Sequence, residues 1–553
     1  MIAALIFLMC VAQAGDLFAI KELQQTSVAP LAVRKTADND YFIDFGRDAF
    51  GWLQLEINAP TDGDLTVRLG EKLQDGKIDS KPGGSIRFAE VKLAYQAGRR
   101  NYRVITPSDR RNTSGSSGAI LPPKELGVVL PFRYAEILHW PGEFAAKDAT
   151  QIMVHYPFDD SASSFRCSDD RLVKVWDLCK YTIKATSFLG IYVDGDRERI
   201  PYEGDAYINQ LSHYGVDAEV SMARRTHEHL IRKPTWPTEW KQLSVFMAYQ
   251  DWMYSGDSMS IRRNWDELKN KKVFSSRARA DGLIDTQGLR DIVDWPARDG
   301  YVMSPINTVV NAHHYRSLLY MAEMGRAIGK EEDAKVFERD AAQMLVAFNE
   351  KLFDPATGLY LDGEGINHSS MHANFFPLAF GLVPDSRKPS VIAYLKSRGM
   401  ACSVYTAQYL LEGLFENGEA EAALALMASG GECSWLHMLE FGSTLTTEAW
   451  DRKIKPNLDW NHAWGSAPAN IIPRYVLGVR PLDPGFTKAI VAPQLGKLAY
   501  AEGVVPTVLG GVGVKARAGK IEVDVPRGMT AVVVVPGTTR RIEIGSGQHM
   551  IPE

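Results

Sequence analysis

The hydrophobic period of this chain changes twice, and an architecture has to accommodate both changes. From about residue 28 to 155, stretches 41–45 and 52–57 alternate roughly with period two, and 65–71 does so after the turn 61–64. Alternation between Gly-, Pro- and Asp-rich breaks marks short half-buried strands, so this part reads as a β-sandwich. Late strands fit 132–138 and 151–156. After Pro157 the period becomes helical: Leu172, Val175, Trp176, Cys179 and Ile183 fall at three- and four-residue steps behind a cap at Ser168, Asp169 and Asp170. Another stripe carries Ala312, Tyr315, Leu319 and Ala322, and further helices fit 331–350, 403–413 and 418–428. Beyond Pro481 the strands return at 489–491, 512–516, 521–525 and 531–535. The layers are therefore β, α, β, with boundaries near 15–158, 159–480 and 481–553. One common form of the middle layer is a closed ring of helix pairs.

Between two apolar helical segments lies the most charged run of the chain, residues 194–205. It holds Asp194, Asp196, Glu198, Glu203 and Asp205 with Arg197 and Arg199, and Pro201, Tyr202 and Gly204 stand among them. Pro201 and Gly204 break regular structure. A solvated surface loop would explain the charge, but not the ring of Tyr202 or the apolar flanks Ile191, Val193, Ile208 and Leu211. Asp205 stands ahead of the next amphipathic run, where it is expected to cap a helix. Paired carboxylates beside arginines and an aromatic suit glycosidic bond cleavage: one acid protonates the leaving oxygen, others hold hydroxyls, and a ring packs on the sugar.

Net charge of −5 gives no reason to expect nucleic acid or an anionic membrane surface as partner. The first fourteen residues carry a short apolar core, 2–11, before Ala12-Gln13-Ala14, and read as an export signal without the usual basic start; a buried strand is the competing reading. No stretch is long enough to span a bilayer. Export makes a periplasmic or secreted location the expectation. After the signal, Cys167, Cys179, Cys402 and Cys433 are too few and too scattered for a disulfide scaffold, and are expected as buried free thiols. No CxxC pair occurs, His227 and His229 diverge at i, i+2 on a helix, and His313-His314 has the same fault, so no metal is expected. The run 509–514 lacks GxGxxG spacing and reads as a hairpin turn, so no nucleotide cofactor is expected either.

The 194–205 run resembles the signature of bacterial α-L-rhamnosidases of glycoside hydrolase family 78: Asp, a short spacer, Arg-Glu-Arg, an aromatic, then Gly-Asp. A second block, residues 443–451 with Glu448 and Trp450, followed by 458–466 with Asn461 and His462, resembles the same family in the same order. The resemblance implies an (α/α)6 ring between two β-sandwich domains and an inverting exo-hydrolase without a cofactor. It makes Glu198 the general acid and Glu448 the general base. It makes Asp194, Arg199, Asp205 and His462 contacts to sugar hydroxyls, with Tyr202 and Trp450 also expected among the substrate-binding residues; taken alone, His462 would as readily be a core histidine. Tyr202 stands where the family usually has Trp, and the spacer before Glu198 is one residue short, which puts the identity of the terminal sugar in question. Another terminal sugar on the same fold, such as an unsaturated uronide, and a non-catalytic carbohydrate binder are the rival readings. Segments 235–240, with Trp236 and Glu239, and 291–296, with Asp294 and Trp295, are expected to line the cavity. Glu198 and Glu448 lie 250 residues apart, and are expected from opposite sides of the ring.

Overall fold

The computed structural model describes residues 17–114, 118–296 and 298–552; the expected export signal lies outside them. The amino-terminal β-rich domain is built on one long strand, Asp40–Ala59, flanked on either side by Ala149–His155 and Leu130–Leu138. The stretches 41–45 and 52–57 are thus one strand, not two. What separates them is a bulge between Asp44 and Ala49, where the Asp44 carboxylate accepts from the Gly46 amide at 2.7 Å. The halves on either side of the bulge take different further partners, Ala32–Ala37 for the first and Gly98–Arg103 for the second. Ile43, Leu53, Leu55, Ile57, Val67, Phe132 and Ile137 fill its core.

The helical domain closes on itself. Its inner helices are Glu203–Val216, Thr238–Ser255, Thr308–Ala327, His372–Phe380 and Ala407–Glu416, with the irregular helical stretch 463–476 as the sixth. Each packs on the next, and the sixth packs back on the first. At that closure Gly215 faces the Ala469 carbonyl so closely that an added Cβ would lie 2.3 Å from its oxygen, which explains glycine there. Outer helices such as Asp170–Ala185 and Glu331–Lys351 cover the ring. Asp169 caps the first of these, its side chain accepting from the Arg171 amide. Every residue of Glu203–Val216 is buried, so its polar members need partners inside the ring. Asn470 of the sixth element donates to the Ser212 hydroxyl of the first at 3.1 Å and exchanges amide hydrogen bonds with Gln408 of the fifth at 3.1 and 2.8 Å.

The carboxy-terminal domain has two sheets, and Val512–Arg517 pairs with Tyr500–Val505 as a hairpin; the connection is 506–511, so residues 512–514 of the expected turn are strand instead. One of its strands comes from elsewhere: Ser164–Cys167, at the start of the presumed helical part, pairs with Tyr500–Val505. That part is therefore not helical from its first residue. Among the described residues the four cysteines are unpaired, and Cys167, Cys179 and Cys402 are buried as expected while Cys433 is partly exposed. Among the described residues, no helix is long and apolar enough to cross a membrane.

Candidate active site

The charged run is a folded-back loop whose side chains divide between two faces. The Asp194 amide donates to the Ile200 carbonyl at 3.0 Å, and the Asp194 carboxylate accepts from the Ile200 amide at 2.9 Å. Gly195 sits at φ +144°, and an added Cβ would lie 2.7 Å from an Asp459 carboxylate oxygen, so only glycine fits. Gly204 is pressed equally closely against the Trp240 indole.

The inner face of the loop docks on the amino-terminal domain. Asp196 is ion-paired with Arg87 and Arg199, and its carbonyl accepts from Arg87 at 2.8 Å and Asn112 at 2.5 Å. The Arg199 guanidinium donates to the Val129 carbonyl at 2.8 Å and lies over the Phe188 ring. Asn112 belongs to the segment 110–120, which composition marks as a flexible loop; residues 110–113 instead form a helical turn with Asn112 buried. Asn461 ties the two sequence blocks together: its side-chain carbonyl accepts from the Asp196 amide at 2.8 Å, and its amide donates to Glu71 at 2.9 Å.

The outer face opens into a cavity of about 730 Å³ lined by Asp194, Arg197, Glu198, Tyr202, Asp205, Trp236, Asp294, Trp295, Glu448 and His462, among others. Arg197 stands between the two candidate catalytic acids, 2.6 Å from Glu448 and 3.5 Å from Glu198. Glu448, buried, is also 3.3 Å from Lys455. Glu198 is more open, with 37% of its side chain exposed, and accepts from the Tyr202 hydroxyl at 3.3 Å. The two glutamates do not come from opposite sides of the ring. They precede its first and last inner helices, which ring closure makes neighbours.

His462 lies between Asp205 at 2.9 Å and Asp459 at 3.0 Å. Burial alone would depress its pKa, but the Asp459 and Asp205 carboxylates outweigh that and hold it well above the usual imidazole range. Asp194 is pushed well up, mainly by burial and further by nearby Glu198, despite the His462 charge. One of its oxygens is buried with no protein partner. Asp205 does not cap the following helix. Tyr202 holds the cap position and Asp205 lies in the first turn, where burial raises its pKa against the pull of His462.

Three expected contacts are absent from the cavity wall. Arg199 points to the amino-terminal domain, because Asp196 three residues back holds it there. Trp450 is fully buried, edge-on to Trp435 at 5.0 Å, with its N–H donating to the Cys402 carbonyl. Glu239 is a loop anchor that accepts from the Ile292 and Val293 amides at 3.1 and 2.6 Å, and burial followed by the Asp291 charge pushes its pKa up to about 7. Asp294 reaches the wall, but its oxygens receive His372, Ser403, Thr406 and the Trp295 amide. Wall residues outside every segment the sequence singled out are Arg290, Lys455 and Asn457, while Arg197, Asp291 and Trp464 lie in quoted segments but were given no role of their own. Asp291 keeps one buried oxygen without a partner. Trp236 and Trp295 are 40% and 49% exposed on the rim, with Arg290 and Lys455 over their rings. Glu448, Asp459 and His462 offer ligand atoms within 4.8 Å of one another. Those groups already face protein partners of opposite charge, so the set is a poor fit for a cation.

Residues 160–476 match the family model described as the bacterial alpha-L-rhamnosidase 6 hairpin glycosidase domain. The chain belongs to that family. Residues 34–155 match the family's concanavalin-like domain and 478–550 its C-terminal domain. An alpha-L-rhamnosidase of Alteromonas sp. (strain LOR) is 22% identical over 92% of this chain and 57% of its own length. One from Formosa agariphila is 21% identical over 89% of this chain and 54% of its own. The chain thus spans little more than half the length of these relatives. The alpha-L-rhamnosidase structure from Dictyoglumus thermophilum superposes with a TM-score of 0.80 at 19% identity, covering 96% of this chain and 64% of that one. That of Streptomyces avermitilis, complexed with L-rhamnose, gives 0.75 at 17% identity, covering 97% and 53%. At such identity the superpositions speak for the fold alone.

Proposed function

We propose that this family member is an inverting exo-glycosidase that releases terminal α-L-rhamnose. The observation that carries the reading is the pair Glu198 and Glu448, brought to one cavity from sequence positions 250 residues apart, with Arg197 between them. The interposed guanidinium keeps the carboxylates from direct contact, which suits an inverting pair separated by roughly 6.5–9.5 Å so that water fits between. The family relatives named above, as alpha-L-rhamnosidases, support the choice of sugar.

In this mechanism Glu198 gives its proton to the glycosidic oxygen as the bond to the anomeric carbon breaks. Glu448 takes a proton from the water that attacks that carbon from the other side. Turnover leaves Glu198 ionised and Glu448 protonated, and the open position of Glu198 lets solvent restore its proton. Asp194, Asp205 and the His462 cation present hydrogen-bonding groups to hydroxyls, and Trp236 and Trp295 present ring faces at the rim. Export to the periplasm or medium, as the first fourteen residues suggest, would bring the enzyme to extracellular glycosides. The test is a panel of p-nitrophenyl glycosides. Hydrolysis of the α-L-rhamnoside above all others is expected. A preference for another sugar, which Tyr202 beside Glu198 makes the pertinent alternative, would replace rhamnose while keeping the chemistry. No hydrolysis of any member would overturn the enzymatic reading.

A further inference from the structure

A second cavity, of about 300 Å³, opens where the inner helices His372–Phe380 and Ala407–Glu416 end. The active-site acids lie instead beside the start of the inner helix Glu203–Val216. A column of rings separates the two cavities: Trp240 meets Tyr405 at 5.5 Å, Tyr405 meets Tyr409 at 5.8 Å, and Tyr409 stacks with Tyr207 at 6.3 Å. Trp240 lines the first cavity and Tyr207 the second.

The charges of the second cavity do not cancel. Its lining holds three cations, Arg316, Arg474 and Lys388, against two carboxylates, Glu412 and Glu416. Both carboxylates are already engaged. Arg474 pairs with Glu412, and Glu416 accepts from Arg480 and the Tyr475 hydroxyl, each at 2.7 Å. Lys388 pairs at 2.8 Å with Asp385, an exposed residue outside the cavity. Arg316 remains. It is partly exposed and lies 4.5 Å over the Tyr320 ring; Glu416 acts on it only beyond contact distance, and no carboxylate among the described residues is in ion-pair contact with it. The neighbouring Tyr249 hydroxyl donates to Glu323 at 2.7 Å and brings no charge of its own. An arginine half-buried in a cavity wall without a carboxylate in contact presents its remaining N–H donors to an anion that enters the cavity.

We infer that this cavity is a binding site for a small organic oxyanion, held by the Arg316 fork with Lys388 at its edge. A guanidinium presents parallel N–H groups that match a carboxylate or a phosphate. The rings of Tyr207, Phe246 and Tyr320 give the remainder of such a ligand an apolar floor. The volume takes one ring-sized molecule. A sugar acid and a sugar phosphate carry the same recognition chemistry, and the two are told apart by titration.

The experiment follows the unfolding midpoint of the full chain against D-glucuronate, glucose 6-phosphate and inorganic phosphate, each referred to sodium chloride of equal ionic strength. A saturable rise with at least one of the organic anions is expected, and its identity says whether carboxylate or phosphate is bound. Arg316→Gln should weaken that binding by ~10-fold or more, since a charge-assisted pair of hydrogen bonds is lost. Lys388→Gln, at the more open edge, should weaken it less and serves if the first variant does not fold. Neither residue lines the catalytic cavity, so hydrolysis in the absence of anion should be unchanged in Lys388→Gln. No saturable shift with any of the three, or an equal shift in the variants, would mean an arginine solvated by cavity water only and would overturn the proposal. Because the readout is binding, its failure is distinct from failure of the rhamnosidase reading.

Discussion

Changing Glu198 and Glu448 each to Gln removes one ionisable carboxyl, but the two changes should differ sharply in their effects on stability and on substrate dependence. Glu448 is 2% exposed between Arg197 and Lys455, which are themselves only 12% and 6% exposed. Removing one member of a buried ion pair typically costs ~3–5 kcal/mol, because the partner charge is left without compensation. Asp459 also acts on Arg197 and takes up part of that loss, so ~2–4 kcal/mol is expected, a fall of several degrees in the unfolding midpoint. Glu198 is 37% exposed with long contacts of 3.3 and 3.5 Å, worth less than ~0.5 kcal/mol in total. Kinetics should divide the other way. Without its acid, Glu198→Gln should lose ~10²–10⁴-fold on alkyl rhamnosides but much less on p-nitrophenyl rhamnoside, whose leaving group needs little protonation. Glu448→Gln should lose a similar factor on both, since each needs an activated water. Initial rates on the two substrate types and thermal melts of both variants decide it. Equal losses for Glu198→Gln on both substrates, or an unchanged midpoint for Glu448→Gln, would refute the assignment.

Trp236→Ala and Trp295→Ala remove rings that are largely exposed on the rim, so KM for the rhamnoside should rise several-fold with the melting temperature unchanged; unchanged kinetics would move both rings out of recognition. Asn461→Asp replaces the amide that donates to Glu71 with a further carboxylate, and Arg87→Met frees Asp196 from the amino-terminal domain. Both should lower kcat more than they change KM, and a purely structural role would show only in the melt. Glu239, buried with its pKa raised to about 7, binds a proton more tightly folded than unfolded. Its contribution is therefore present at acid pH and lost as pH rises from about 4.5 through 7, up to ~3 kcal/mol. Glu239→Gln should accordingly flatten the fall in stability over that interval, and a pH–stability curve identical to that of the parent would contradict this.

The architecture was legible because hydrophobic period is a local property: the change after Pro157 and the return after Pro481 need no knowledge of distant contacts. Ring closure is not local, which is why Glu198 and Glu448 were expected on opposite sides although they precede helices that pack together. The loop 194–205 advertises its charges but not their direction. Arg197 and Arg199 are chemically alike in sequence, and only the docking of Asp196 on Arg87 sends Arg199 inward and leaves Arg197 in the cavity. Trp450 and Glu239 sit in conspicuous segments for packing reasons, one beneath the site and one holding the 292–293 backbone. Lys455 and Asn457 belong to no motif. The dependence of both sequence blocks on the amino-terminal domain, through Arg87, Asn112 and Glu71, has no sequence signal at all.

The stereochemistry of the first product tests the central claim most directly. If Glu448 activates a water on the face opposite Glu198, the sugar leaves with its anomeric configuration reversed. A nucleophilic Glu448, at about 5–5.5 Å from the acid, would retain it. Proton NMR of an α-L-rhamnoside during the first minutes of hydrolysis, before mutarotation, separates the two. The account predicts β-L-rhamnose first; α-L-rhamnose appearing first would contradict it.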